Sequence, residues 1–538
     1  MRLLSCALIC LAGFGAAKDA SPAARVKTAN GMVEGVVLDS GVRAFRAIPF
    51  AQPPVGALRW KAPQPPKDWT GVRAAAEFSP SCMQRAVFGD MEFRGNGTSE
   101  DCLYLNVWTP AKSASEKLPV LVYFFGGGLM AGDGSEGRYD GESMASKGIV
   151  SVTINYRLTA FGFMVHPELS AEAPYHASGN YGFLDQNAAL KWVQANIAAF
   201  GGDPRRVTIA GESAGSRSVS VQVLSPLSRG LFAGAIMESG SVVGAANPPT
   251  LAEGEKQGEQ FMKLAGAASL RELRAMSAEQ VLAVTAKPES GRFGPIADNY
   301  LLPDGDLVAY MDAGKQAHVP LLQGTNSEEQ SYRTVLGNNP PTPEGLAAGI
   351  RKLFPDNSDG VIAAYPAKTT DEVLDAAMTL ASERAMAYGV WRFGESHRKS
   401  SGKPVYRYLY MRPRPKFLGA ANQTPGTAGG IVTNAGAAAP PPARGAVHSA
   451  EIEYALGNLS QNKHYAWDAG DQKLSQTMEN YFANFIKTGN PNGAGLPKWP
   501  AYSEQDGLQV MYLNVNSHAG PETARPRMIL FDGMYRKK

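Results

Sequence analysis

Nearly continuous apolar runs recur along the chain and alternate with stretches of helical periodicity. Three of these runs lack the regular apolar–polar alternation of a half-exposed strand: LPVLVYFF from Leu118, GIVSVTINYR from Gly148 and RRVTIAG from Arg205. They predict strands that are buried on both faces. Three later runs predict further strands of the same kind, GAIMESG from Gly234, VPLLQGTN from Val319 and PVYRYLYM from Pro404.

Helical periodicity fills the spaces between these runs. In residues 183–202 the apolar side chains recur near helical spacing until Gly201 and Gly202 end the pattern. Residues 251–266 and 370–397 predict further helices. Strands that alternate with helices predict an α/β protein with a large, mostly parallel central sheet and helices on both faces. Before this pattern, residues 25–70 contain short strand-like runs and an Asn-Gly turn, which predict a small N-terminal β-sheet.

The composition is that of an ordinary globular protein and argues against nucleic acid as a partner. The 538 residues are 44% hydrophobic and 19% charged, so a large core can be buried. The formal net charge is only +3, and no run of Lys and Arg forms a basic patch. Nucleic acid is therefore not expected as a partner.

The first 17 residues have the organisation of a secretory signal peptide. Arg2 is followed by an apolar run from Leu3 to Ala17, which is too short to span a bilayer comfortably. Cleavage is expected near Ala17, with Ala20 as an alternative. The mature protein is therefore predicted to be secreted or periplasmic, with no membrane span.

The cysteines support an oxidising compartment. The chain has four of them, and Cys6 and Cys10 lie in the signal peptide. The two that remain, Cys82 and Cys102, are an even number and predict one disulfide. The alternative is a pair of free, buried thiols.

Residues 414–444 differ in composition from the rest of the chain. They are rich in Gly, Ala and Pro and poor in large apolar side chains. Such a segment cannot bury enough surface to fold by itself, so a mobile loop is predicted. No linker or internal repeat is found elsewhere, and residues 25–535 are expected to form a single domain.

The stretch GESAGS, residues 211–216, suggests a catalytic serine. It lies between a predicted buried strand and a predicted helix, which is the setting of a nucleophile elbow. Side chains at Gly211 and Gly215 would crowd the neighbouring strand and helix, while the helix N-terminus would face negative charge developing at Ser213. The alternative is a chance match in a chain with 58 glycines.

Donors for an oxyanion are expected from two places. Gly126, Gly127 and Gly128 follow a buried strand, where glycine allows the backbone to approach a substrate oxygen closely. The N–H of Ala214, directly after the serine, is the partner donor. The glycines alternatively form a flexible turn or a phosphate loop, although the Gly-Lys-Ser/Thr sequence of a phosphate loop is missing.

A base and a carboxylate complete such a site. Of the seven histidines, His448 is preferred, since it follows the predicted loop directly and precedes an apolar run. Glu328 and Glu329 are both candidates for the carboxylate that fixes the histidine tautomer, because they follow a predicted strand. No His-Glu-x-x-His or Cys-x-x-Cys pattern suggests a metal site, so neither metal nor organic cofactor is expected.

Two long segments resemble the type-B carboxylesterase/cholinesterase family, whose members have the α/β-hydrolase fold. They are EDCLYLNVW from Glu100 and the stretch from Gly179 to Ser216, and the likeness covers nearly all of the mature chain. The family pattern Gly-x-Asn-x-x-Glu matches Gly324, Asn326 and Glu329. The resemblance implies that Ser213 is the nucleophile, His448 the base and Glu329 the orienting acid. It also implies oxyanion donors at Gly127, Gly128 and Ala214. Finally, it implies a disulfide between Cys82 and Cys102.

The sequence departs from many relatives at two places beside the predicted site. Phe125 and Leu129 flank the three glycines where the family often has His or Tyr and then Phe, which alters the pocket near the acyl group. Ser216 and Arg217 follow the serine motif where glycine is common. Arg217 is expected either to pack along its helix or to contact an acidic substrate.

The sequence thus predicts a serine hydrolase that cleaves small-molecule carboxylic esters through an acyl-enzyme. Glu212, next to the nucleophile, is expected to stabilise the histidinium by its charge. The alternatives are a non-catalytic, cholinesterase-like adhesion protein, and a lipase or amidase on the same scaffold.

Overall fold

The computed structural model describes residues 23–88, 90–420, 422–426, 430–433 and 442–536. The predicted signal peptide, residues 1–17, lies outside the described residues. The predicted mobile loop at 414–444 lies partly outside them. Within its described part, two short strands pair as an antiparallel hairpin, and the ring of Phe417 packs against the ring of Tyr465.

The strands are β1 (Ala23–Lys27), β2 (Met32–Val37), β3 (Arg43–Pro49), β4 (Val72–Ala74), β5 (Ser81–Cys82), β6 (Thr98–Ser99), β7 (Tyr104–Thr109), β8 (Leu118–Phe124), β9 (Val150–Ile154), β10 (Gly202–Glu212), β11 (Gly234–Glu238), β12 (Leu321–Asn326), β13 (Val405–Tyr410), β14 (Gln423–Pro425), β15 (Ile431–Thr433), β16 (Gln509–Leu513) and β17 (His518–Pro521).

The helices are α1 (Glu142–Ser146), α2 (Thr159–Phe163), α3 (Pro167–Glu172), α4 (Tyr181–Asn196), α5 (Ala214–Leu224), α6 (Leu251–Ala265), α7 (Leu270–Ala275), α8 (Ala278–Val284), α9 (Leu307–Asp312), α10 (Arg333–Leu336), α11 (Pro343–Leu353), α12 (Ser358–Ala364), α13 (Thr370–Ser382), α14 (Tyr388–Ser400), α15 (Ile452–Ala455), α16 (Ala469–Thr488) and α17 (Arg525–Tyr535). A π-helical segment, Glu383–Ala387, joins α13 to α14.

Each of the six predicted buried runs forms a strand, β8 to β13, in one 13-stranded sheet. The strand order is β1-β2-β3-β7-β9-β8-β10-β11-β12-β13-β16-β17, with β4 beside β2. All pairs from β9 to β16 in this order are parallel. The carboxyl ends of these strands therefore meet at one edge of the sheet, which is where α/β proteins place their ligands.

The N-terminal strands do not stand apart from the central sheet. Strands β1, β2 and β3 form the small antiparallel unit expected from residues 25–70, but β3 also pairs antiparallel with β7. This pairing removes two exposed sheet edges and buries Phe45 and Ile48. The small sheet is thus the antiparallel margin of the large one.

Helices pack against the sheet and contribute side chains to the hydrophobic core. Helix α5 packs against β8, β10 and β11, and α16 packs against β8 and β10. The predicted helix at 183–202 is α4, which continues as a short 3₁₀ segment until Gly201 adopts a left-handed conformation with φ of 84°. Among the described residues, no helix combines the length and the apolar character needed to cross a membrane.

The predicted disulfide is present. Cys82 and Cys102 are bonded, both are buried, and their Cα atoms lie 5.0 Å apart. The alternative of two free thiols is therefore wrong. The bond ties β5 to the segment that leads into β7.

Candidate active site

Ser213 occupies a strained turn between β10 and α5. Its φ of 57° and ψ of −116° lie in a region that non-glycine residues rarely adopt. A Cβ atom at Gly215 would lie 2.0 Å from the carbonyl oxygen of Phe124, and one at Gly211 would lie 2.6 Å from the same oxygen. The two glycines therefore let α5 approach β8 closely enough for the turn to form, which confirms the predicted crowding.

The chain that carries His448 is fastened to the end of β12. The Glu328 N–H donates to the carbonyl of Ala446 over 2.8 Å, and the side-chain amide of Asn326 donates to the carbonyl of Val447 over 2.8 Å. The Glu328 carboxylate accepts the N–H groups of Arg444 and Gly445 at 2.6 and 2.8 Å. These bonds bring residues far apart in sequence to the same sheet edge.

The three side chains singled out in the sequence form one hydrogen-bonded chain. His448 Nε2 lies 2.9 Å from Ser213 Oγ, and His448 Nδ1 lies 2.5 Å from Glu329 Oε2. The other oxygen of Glu329 accepts the N–H of Asn326 at 2.7 Å and the hydroxyl of Ser239 at 2.6 Å. Strand position alone left Glu328 and Glu329 as alternatives and the family resemblance implied Glu329, which is the one of the two that contacts the histidine.

Glu212 lies on the opposite side of the imidazole from Glu329. Its Oε1 is 3.2 Å from His448 Nε2, and the carboxylate is buried. Burial raises the pKa of Glu212. Burial by itself would lower the pKa of His448, but the negative charges of Glu212 and Glu329 outweigh it and raise that pKa. The two carboxylates thus stabilise the imidazolium that forms when His448 accepts a proton.

Two further buried glutamates, which sequence reasoning missed, lie behind this chain. Glu451 accepts a hydrogen bond from Ser239 Oγ at 3.3 Å and another from the amide of Asn326. Burial, with the charge of Glu329, raises its pKa to about 7. Glu238 is fully buried, and burial raises its pKa well above the usual range. A hint in the sequence was the position of Glu451, one helical turn after His448.

The glycine loop after β8 lies against the serine. A Cβ atom at Gly126 would lie 3.3 Å from Ser213 Cβ. Gly127 and Gly128 have φ of 101° and 67°, conformations that favour glycine. Across the described residues, no backbone carbonyl accepts the N–H groups of these two glycines, and Ala214, as the first residue of α5, has no helical acceptor for its own N–H.

The arrangement of serine, imidazole, carboxylate and free N–H groups suits acyl transfer. A model of the carboxylesterase family matches residues 22–528. This chain belongs to the carboxylesterase family. The carboxylesterase is 35% identical over 510 residues to the fumonisin B1 esterase of Sphingopyxis macrogoltabida, an alignment that spans 92% of this chain and 87% of the relative. It is 33% identical over 552 residues to the human cocaine esterase, with 97% and 93% covered.

Solved structures agree with the fold of this carboxylesterase. The Geobacillus stearothermophilus carboxylesterase EST55 superposes with a TM-score of 0.77 at 29% identity, covering 94% of this chain and 99% of that one. A PNB esterase superposes with a TM-score of 0.76 at 30% identity and the same coverage. The predicted α/β-hydrolase fold and the predicted hydrolysis of carboxylic esters by a serine enzyme are confirmed. The alternative of a non-catalytic adhesion protein is not supported.

Proposed function

We propose that Ser213 is the nucleophile of this carboxylesterase, His448 its general base and Glu329 the carboxylate that orients the histidine. The observation that carries this proposal is the continuous chain of hydrogen bonds from Ser213 Oγ through the imidazole to Glu329. The order serine, acid, histidine along the chain is the order of α/β-hydrolases.

The contacts support a two-step reaction. His448 Nε2 accepts the hydroxyl proton while Ser213 Oγ bonds to the ester carbonyl carbon and the carbonyl π electrons move to oxygen. The tetrahedral intermediate collapses, the bond to the alcohol oxygen breaks, and the imidazolium returns the proton to that oxygen. Water, deprotonated by His448, then attacks the acyl-enzyme and releases the acid and the free serine.

Gly127, Gly128 and Ala214 are proposed to hold the oxyanion. Their N–H groups come from the loop after β8 and from the start of α5, which approach Ser213 from two sides. A preformed donor of this kind contributes about 3 kcal/mol to stabilisation of the transition state. No backbone carbonyl of the described residues accepts a hydrogen bond from the N–H groups of Gly127 and Gly128. These N–H groups can therefore bind the oxyanion without first breaking such a bond.

Labelling with a fluorophosphonate tests the proposal directly. One equivalent should bind covalently, and the modified peptide should carry the label on Ser213, because the serine adds to phosphorus as it adds to a carbonyl. Ser213→Ala should abolish labelling. The matched control is Ser216→Ala in the same helix, whose hydroxyl donates to the carbonyl of Gly240 over 2.6 Å and does not contact His448. Label on another residue would refute the assignment.

Replacing Glu212 by glutamine should move the acidic limb of the kcat/KM profile. The base acts as neutral imidazole, so activity rises as the pH passes through the pKa of His448. The Glu212 charge raises that pKa, and its removal should shift the limb to lower pH by about one unit. The plateau of kcat/KM should also fall, because the imidazolium of the transition state loses a stabilising charge.

The Glu212 profile is measured against Glu259→Gln, which removes a carboxylate from the exposed face of α6. Wild type and Glu259→Gln should share one profile. An unchanged profile for Glu212→Gln would show that Glu212 has no electrostatic role toward His448.

We also propose that the enzyme acts as a secreted or periplasmic protein. The segment proposed for removal is residues 1–17, and the single catalytic domain is residues 25–535. The Cys82–Cys102 disulfide supports an oxidising compartment.

A further inference from the structure

A cavity of about 350 Å³ is lined in part by Arg217, which lies in α5, the helix that begins directly after the proposed nucleophile. It is formed by the first turns of α5, the segment from Ser241 to Pro249, the segment from Arg292 to Ile296 and the π-helical segment before α14. Two contacts connect it to the reacting groups. A Cβ at Gly240 would lie 2.1 Å from the Ser213 carbonyl oxygen, and a Cβ at Gly128 would lie 3.0 Å from a guanidinium nitrogen of Arg292.

The charged residues that line this cavity are three arginines, Arg217, Arg292 and Arg384. No aspartate or glutamate of the described ranges lines it. The remaining lining is apolar or neutral, including Phe163, Val243 and Ile296. A pocket with positive groups on several sides, and no carboxylate among its lining residues to neutralise them, is complementary to an anion.

Arg217 is held one helical turn beyond Ser213. Its N–H donates to the Ser213 carbonyl over 2.9 Å, which fixes the start of α5 at the nucleophile turn. Side chains of a helix lean toward its N-terminus, which directs Arg217 toward the turn that carries the nucleophile.

Arg217 is half-buried and forms no ion pair with an acid among the described residues. Burial lowers the pKa of Arg217, and the like charge of Arg292 lowers it further. Within the described part of the chain, none of the ion pairs involves Arg217, Arg292 or Arg384, and the last two residues are exposed. Partial burial of the Arg217 cation without a counter-charge costs folding free energy, and an anionic ligand would offset that cost.

Arg292 approaches from the other side of the nucleophile. One of its nitrogens lies 3.4 Å from the Gly128 carbonyl, a long contact that leaves most of its donors free. Gly128 belongs to the proposed oxyanion loop. Arg217 therefore lies one turn after the proposed nucleophile and Arg292 beside the proposed oxyanion loop, while Arg384 adds positive charge at another wall of the same cavity, near the ring of Phe354.

We propose that this cavity recognises a carboxylate, so that the preferred substrates are carboxylic esters that bear a second, ionised carboxyl group. Arg217 and Arg292 bind this group and set substrate specificity, and neither takes part in the proton transfers. The inference rests on the proposed function, because it takes Ser213 as the reacting centre. Guanidinium groups match carboxylates with paired hydrogen bonds, and these charge-assisted bonds are strong.

Two pairs of chromogenic esters test the inference. In the first pair the charge lies on the acyl side: the 4-nitrophenyl monoester of adipic acid and its neutral, nearly isosteric carboxamide. In the second pair it lies on the alcohol side: the butyrate ester of 4-hydroxybenzoate and that of 4-hydroxybenzamide. For each pair, the ratio of kcat/KM for the charged ester to that for the neutral ester is measured at neutral pH.

Wild type should favour the charged ester at least tenfold in one of the two pairs, and the pair identifies the side of the ester that enters the cavity. Arg217→Gln and Arg292→Gln should each lower the ratio about tenfold or more, because kcat/KM for the charged ester falls further than kcat/KM for the neutral ester. Arg217→Lys should recover part of the ratio. The matched control Arg351→Gln, on the exposed face of α11, should leave it unchanged.

A ratio near one in both pairs for wild type would overturn the inference, as would a preference that survives both glutamine variants. Failure of the proposed function looks different: hydrolysis of the neutral esters would then persist in Ser213→Ala. If wild type hydrolyses both members of a pair equally, and Ser213→Ala hydrolyses neither, the proposed mechanism stands and the carboxylate preference is refuted.

Discussion

Replacing Ser213 by alanine should lower kcat by roughly 10⁴- to 10⁶-fold while the protein stays folded. The substitution removes the hydroxyl oxygen that would form the acyl-enzyme, and among the described residues no other hydroxyl is hydrogen-bonded to His448 Nε2. Alanine has the same backbone preferences as serine at the strained φ of 57°, so the turn should persist. Steady-state hydrolysis of 4-nitrophenyl butyrate, with circular dichroism to verify folding, measures the effect.

Activity measurements on His448 variants test whether Ser213 and His448 act together in one step or contribute to catalysis independently. His448→Ala alone and the Ser213→Ala/His448→Ala double variant should lose about as much activity as Ser213→Ala, because groups that act in one step do not contribute additively. Residual activity should reflect the oxyanion donors and substrate binding. A double variant whose loss equals the product of the two single losses would contradict the proposed chain.

Glu329→Gln should lower kcat by about 10⁴-fold, an effect comparable with loss of the orienting acid in other serine hydrolases. Glu329 accepts three hydrogen bonds, from His448 Nδ1, the Asn326 N–H and Ser239 Oγ. An amide has one oxygen, so its NH₂ group must face at least one of these donors. The histidine is then stabilised in the other tautomer, with the proton on Nε2, where it cannot accept the serine proton. Single-turnover kinetics across pH measures this loss.

Glu328→Gln is the matched control for Glu329→Gln, because it neutralises the adjacent residue. The Glu328 carboxylate accepts only backbone N–H groups from Arg444 and Gly445 among the described residues, and it does not touch the imidazole. Its loss should slow hydrolysis by less than about tenfold, through looser placement of the His448 segment. Equal losses for the two variants would mean that Glu329 acts by structure alone and does not select the tautomer.

The strands were predictable because burial on both faces leaves a continuous apolar signal that does not depend on the rest of the chain. β8 is buried at six of its seven residues and β10 at eight of its eleven, and their apolar runs stand out in the sequence. The pairing of β3 with β7 was not predictable in the same way. A strand has the same local sequence pattern whether it pairs with the next strand in the chain or with a distant one. The pairing partner is decided only by how the strands pack in the fold.

The chain alone determined the nucleophile turn, because Gly211, Ser213 and Gly215 are adjacent residues whose steric needs are local. It also determined, by its resemblance to known esterases, the residue types of the proposed site. The local pattern around residues 328 and 329 does not distinguish the two carboxylates, and the choice of Glu329 came from the resemblance. The tertiary structure decides the contact, since Glu329 meets His448 and Glu328 meets the N–H groups of Arg444 and Gly445, all more than a hundred positions away. The tertiary structure also places Arg292 near Arg217, although the two lie far apart in the sequence. Charged groups interact according to their distance in space, which the local sequence does not show.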